Sequence, residues 1–109
     1  MTDPLDPVWL MKAVAYYEKV IVLNPENLFA YVNKRIALTK FIVLEEQERS
    51  LAEKLIQLER KDPSKVAAAQ TRVTESNGRL DGFNKEIELL SKKIKDLLAA
   101  QKAKKQSTS

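Results

Sequence analysis

Apolar residues in the second half of the chain recur at alternating steps of three and four. From Val66 the stripe runs through Ala69, Val73, Ser76, Leu80, Phe83, Ile87, Leu90, Ile94 and Leu97. That is the a/d spacing of a long amphipathic helix. A second stripe, earlier in the chain, reads Ala37, Phe41, Leu44, Glu48, Leu51, Leu55 and Leu58. Folded back about Arg60–Pro63, the two stripes mirror each other without a slip. Leu58 meets Val66, Leu55 meets Ala69, Leu51 meets Val73, Leu44 meets Leu80, Phe41 meets Phe83 and Ala37 meets Ile87. The one polar seam residue, Glu48, falls opposite the small polar Ser76. On the flanks Arg49 stands opposite Glu75, and Glu45 opposite Arg79. The pattern predicts an antiparallel two-helix hairpin with coiled-coil-like packing.

Proline and its neighbours set the expected boundaries. Asp6–Pro7, Asn24–Pro25 and Asp62–Pro63 each place a capping side chain before a first-turn proline. The Asp or Asn oxygen accepts from an orphan N–H, and proline at the first helical position has none to leave unpaired. Asp3–Pro4 has the same chemistry but too little chain before Pro7 to form a helix. Three helices are therefore expected, over 7–23, 25–60 and 63–103, with a disordered tail over 104–109. The chain has only two glycines, Gly78 and Gly82. The stripe from Val66 keeps its phase across both, which predicts a continuous helix in place of a C-cap at Asn77–Gly78. They would then form a bare Gly-x-x-x-Gly notch on the helix back, a possible approach surface for another helix.

The first helix is apolar almost all round (Val8, Trp9, Leu10, Met11, Ala13, Val14, Tyr16, Tyr17, Val20, Ile21, Leu23), which predicts burial on most sides. Phe29, Val32, Ile36 and Val43 offer it a docking row on helix 2, displaced from the hairpin seam. The architecture is thus all-α: a short N-terminal helix packed on the open end of a long hairpin, in one domain.

Around this junction, in about residues 10–38, Ala13, Tyr17, Val20 and Pro25 have the small–aromatic–small–Pro spacing of a repeat's second helix. Ala30, Tyr31 and Asn33 follow as the start of a next first helix. This stretch resembles a tetratricopeptide-repeat helix pair. The resemblance implies helix–turn–helix packing and a protein-binding role. It ends at Lys34 and Arg35, which stand where that motif has Leu and Gly, and no period of that length recurs.

Composition narrows the chemistry. Neither cysteine nor histidine occurs, so thiolate or imidazole ligands and the commonest general base are missing. No catalytic, cofactor-binding or metal-ligating residue is nominated, and an enzyme is not expected. Glu45, Glu46 and Glu48 form the densest acidic cluster, read as a solvated helix face. The net charge is +4. Residues 1–84 balance at 12 basic and 12 acidic side chains, and residues 85–109 hold seven lysines against three acids. Lys92, Lys93, Lys95, Lys102, Lys104 and Lys105 are candidate contacts for phosphate or an acidic partner. Asp81–Lys85, Glu88–Lys92 and Lys92–Asp96 are spaced as stabilising surface pairs. No stretch is long and apolar enough to span a membrane, and a cytoplasmic location is expected.

The function expected is a non-catalytic interaction or assembly module, an adaptor, small chaperone or structural component, whose partner is a second copy or another protein. The candidate interaction residues are Trp9, Tyr16, Tyr17, Ile42, Glu48, Ile56, Gly78, Gly82, Leu89 and Leu98. Of these, Ile42, Ile56, Leu89 and Leu98 lie off the predicted seam and so on the outside of a lone hairpin. The alternative is a nucleic-acid-associated protein using the lysine-rich C-terminal third.

Overall fold

The computed structural model describes residues 6–108, of which 106–108 are described as backbone only. Asp3–Pro4 and Ser109 lie outside the described residues. Three helices account for the described residues: α1 (Pro7–Leu23), α2 (Leu28–Leu58) and α3 (Pro63–Thr108). α2 and α3 pack along each other as an antiparallel hairpin, and α1 packs on α2. The molecule is a rod of 71 × 29 × 20 Å. Its long dimension is that of α3, whose 46 residues span about 69 Å at 1.5 Å per residue.

Two of the three proline-linked caps form as the sequence predicts. Asp6 Oδ1 accepts from the Val8 N–H at 2.9 Å. Asp62 Oδ1 accepts from the Ser64 N–H at 3.2 Å and the Ser64 hydroxyl at 2.8 Å, and these bonds hold its carboxyl below the usual aspartate range. Asn24–Pro25 does not start α2. Asn24 ends α1 instead, its N–H bonding the Val20 carbonyl at 2.8 Å, and Pro25 and Glu26 are spent reversing the chain. The cap of α2 is Asn27, whose Oδ1 accepts from the Ala30 N–H at 3.2 Å. The Tyr31 hydroxyl pins the turn by donating to the Pro25 carbonyl at 2.7 Å. At the other end, α3 continues as helix to Thr108, past the expected start of a disordered tail.

α3 runs through Gly78 and Gly82 without a break, and neither glycine has a positive φ. Its seam is the predicted one. Ala69, Ser76, Leu80, Leu90, Ile94 and Leu97 are buried, and Val66, Val73, Phe83 and Ile87 are half-buried. The pairing register with α2 is also the predicted one where contacts report it. Phe41 and Phe83 stack at 5.6 Å between centroids, and Arg79 bonds Glu45.

The rotation of α2 is different from the one predicted. Its α3-facing row is Leu38, Ile42, Glu45, Arg49, Ala52 and Ile56, each one residue on from the predicted seam position. All six are buried or half-buried. Two leucines expected at the seam turn outward, Leu51 at 53% exposed and Leu58 at 80%, while Leu44 is half-buried and Leu55, 38% exposed, stands at the edge of a cleft beside Ala69 and Arg72. Glu48 is exposed and reaches across to Arg72 at 2.9 Å, so it is not the seam's polar residue. Ile42 and Ile56 are half-buried and not on the outside. The cause lies at the open end. There α2 gives one side, with Ala30 and Ala37, to α1 and the adjacent side, with Tyr31 and Leu38, to α3. A helix turns about 100° per residue, so this choice fixes which side every later residue faces.

The main core sits at that open end: Tyr31, Leu38, Leu90, Ile94 and Leu97, with Val14, Ile21, Leu28, Val32, Phe41, Phe83 and Ile87 packed around them. α1 packs on α2 with Leu10, Ala13 and Tyr17 facing Asn33, Ala37 and Lys40 across a small cavity, and Trp9 and Ile36 stand exposed at its rim. The predicted docking row is only partly used: Val32 packs against the core, while Phe29 and Val43 remain exposed. Nor is α1 buried on most sides. Leu10 is its one buried residue, because α2 offers it a single face.

Candidate interaction surfaces

Polar side chains fasten the helices at two places. Lys34, on α2, lies between α1 and α3 with its side chain 12% exposed. Its Nζ sits 3.3 Å from Glu18 Oε1 on α1 and 2.7 Å from Glu86 Oε1 on α3. Burial pulls the ammonium's pKa down, but the hydrogen bonds and charges of Glu86 and Glu18 together outweigh that and hold it above the usual lysine value. One cation thus ties all three helices together. Nearby, Arg35 Nη1 donates to Ser91 Oγ at 3.2 Å.

The second place is mid-hairpin. Arg79 Nε donates to Glu45 Oε1, which raises the guanidinium's already high pKa. Arg79 Nη2 is also 3.5 Å from the hydroxyl of the buried Ser76. Glu45 Oε2 is buried with no hydrogen-bond partner. Glu45, not Glu48, is therefore the polar residue that α2 contributes to the seam. Arg49 Nη1 donates to Asn77 Oδ1 at 2.9 Å and Nε lies 3.8 Å from Glu53, where the sequence suggested Glu75. The acidic cluster at Glu45–Glu48 is in part a set of bridges to α3. Of the three surface pairs expected on α3, Asp81–Lys85 closes at 3.0 Å; Glu88–Lys92 and Lys92–Asp96 form no ion pair.

The predicted interaction residues do not converge on one site. Trp9 and Tyr16 are exposed on the outside of α1, Tyr16 meeting the half-buried Tyr17 edge-on at 5.5 Å. Tyr31 is buried, and Lys93 Nζ lies 6.0 Å from its ring centroid. Leu89 and Leu98 are exposed on α3. Gly78 and Gly82 are exposed, and a Cβ built on either meets nothing within 4 Å. Lys92, Lys93, Lys95, Lys102, Lys104 and Lys105 are all exposed. At 100° per residue Lys92, Lys95 and Lys102 fall on one side of α3, which they share with Glu88 and Asp96, while Lys93 and Lys104 point elsewhere, so the face is mixed in charge.

What the surface does carry is apolar area. On α1, Val8, Met11 and Val22 form an outward stripe, with Trp9, Tyr16 and Leu23 beside it at seven-residue spacing, all exposed. On α2, Leu51, Leu55 and Leu58 form another. The sequence pattern predicts burial of α1 on most sides, with Trp9 and Tyr16 also candidate interaction residues, and places the α2 leucines in the seam. The signal that separates them is the number of partners: three helices cannot cover every side of an all-round apolar helix. Among the described residues no group of three carboxylates converges to hold a metal ion, and no helix is long and apolar enough to cross a membrane. The chain matches no known family model, no curated protein and no solved structure.

Proposed function

We propose that the chain is a non-catalytic helical interaction module that assembles with itself, working as an adaptor, small chaperone or structural component. The observation that carries this reading is the outer face of α1, where Val8, Trp9, Met11, Tyr16, Val22 and Leu23 are all exposed on a 17-residue helix. Scattered apolar residues are ordinary on a surface, but six large ones on one short helix, in two rows with the aliphatic stems of Lys12 and Lys19 between them, mark an interaction site. The aromatics Trp9 and Tyr16 are of the kind that anchor interfaces. The resemblance of residues 10–38 to a tetratricopeptide helix pair points the same way. A module of this sort acts in the cytoplasm and needs no cofactor. The nucleic-acid alternative draws less support, because Lys85, Lys92, Lys95 and Lys102 share their side of α3 with Glu88 and Asp96.

Sedimentation of the chain at micromolar concentration tests the proposal. It is expected to run larger than a monomer, and Met11→Glu with Val22→Glu is expected to return it to monomer without loss of helical circular dichroism. A wild-type chain that stays monomeric would defeat the self-assembly claim.

A further inference from the structure

One row of α2 is covered over its first half and bare over its second. Ala37, Leu44, Leu51 and Leu58 follow one another at seven-residue spacing, with Leu55 beside them. Ala37 is buried where α1 docks. α1 runs antiparallel to α2 and begins near this level, so it leaves Leu51, Leu55 and Leu58 exposed. The interface with α1 is therefore continued, along the same side of α2, by an apolar stripe with no cover among the described residues. The covered half already accepts a helix, and a heptad stripe repeats at the spacing that a packed helix presents.

Charge tells what kind of helix fits. One edge of the bare stripe carries Glu48 and Glu59, and both are already neutralised by α3: Glu48 by Arg72 at 2.9 Å and Glu59 by Lys65 at 3.7 Å. The other edge carries Lys40, Gln47 and Lys54, again seven apart. Neither Lys40 nor Lys54 has an ion pair among the described residues. The stripe is thus apolar with one unneutralised basic edge. We infer that the Leu44–Leu58 face of α2 docks an amphipathic helix of a partner protein, one that sets Asp or Glu along the edge of its own aliphatic stripe. This rests on the reading of the chain as an interaction module and names the partner's chemistry at a second surface.

A second copy paired antiparallel fits this face poorly. About a two-fold axis that pairing brings like edges together, so Lys54 meets Lys40, Gln47 or Lys54 of the copy and no acid. The outer face of α1 matches no better: its one acid, Glu18, is already paired with Lys34 at 3.3 Å, and Lys12 and Lys19 stand among its apolar residues.

The test uses the full chain and two labelled synthetic peptides of four heptads, kept below their own self-association. Both have leucine at the seam positions; one has glutamate on its flanks and the other lysine. In an anisotropy titration the glutamate peptide is expected to bind, more weakly as salt is added, and the lysine peptide at least ~10-fold more weakly. Lys54→Glu should narrow or invert that preference. Leu51→Asp with Leu55→Asp should abolish binding while circular dichroism keeps its helical signal. Absence of binding, equal binding of both peptides, or binding that survives the double aspartate would each overturn the inference. Sedimentation of the double-aspartate variant separates this claim from the broader one. If it loses the self-association of the wild type, the face belongs to a second copy; the acidic-helix inference then fails while the interaction-module reading stands.

Discussion

The two ends of the hairpin are made from the same pair of helices and differ in what lies between them. At the open end α2 and α3 enclose large side chains, Tyr31, Leu38, Leu90, Ile94 and the stacked Phe41 and Phe83, and α1 adds a third wall. At the turn end the buried residues are small: Ala52 is 0% exposed, and Ala69 and Ser76 are buried with it. There the leucines face water and ion pairs bridge the flanks. The open end is held by apolar burial, at about 1.5–3 kcal/mol for each fully buried Leu-sized side chain. The turn end is held by close approach of small residues and by exposed ion pairs worth ~0–1 kcal/mol each. The hairpin therefore has a well-buried end and a thinly buried one; both carry exposed apolar surface, on the outside of α1 at the first and on the Leu51–Leu58 row of α2 at the second.

The largest test of this contrast compares two leucines on one helix. Leu38→Ala removes a buried side chain at the open end and is expected to cost ~2–5 kcal/mol. Leu51→Ala trims an exposed one at the turn end and should change stability by roughly 0.5 kcal/mol or less. Urea unfolding of both variants gives the two values, and comparable losses would erase the proposed asymmetry.

The glycines supply a smaller effect. A Cβ at Gly78 or Gly82 meets nothing within 4 Å, so Gly→Ala at each should stabilise α3 by up to ~1 kcal/mol, read as a higher midpoint in thermal denaturation. A loss of stability would mean that α3 does not run straight through these positions. If the chain assembles and the double variant no longer does, the Gly78–Gly82 notch is a docking surface.

Much of this fold was legible in the sequence, and the exceptions share a physical origin. The stripe from Val66 to Leu97 was readable because α3 has one dominant partner and so one apolar face. The same holds for the continuity through Gly78, since a broken helix has no reason to keep phase. Asp6 and Asp62 were readable as caps because capping is local. α2 was harder, because two heptad stripes lie side by side on it, one residue apart. The leucine-rich stripe is the more apolar, but rotation was set by the three-helix junction, a tertiary fact that no local pattern contains. Asn24 was misread as a cap for the same kind of reason: ending α1 and reversing the chain took that residue first. The same rotation moved three of the interaction candidates. Ile42 and Ile56 exchanged places with Leu51 and Leu55 once α2 had turned by one residue, and Glu48 yielded the seam to Glu45.

The rotation of α2 is the central claim, and the absence of cysteine from the chain makes it directly measurable. Single cysteines placed at 51, 52, 55 and 56 can be labelled with a thiol reagent in dilute solution, without background. The structure predicts fast labelling at 51 and 55 and strong protection at 52 and 56. Protection at 51 and 55 with fast labelling at 52 and 56 would place the leucine stripe against α3 and contradict the account.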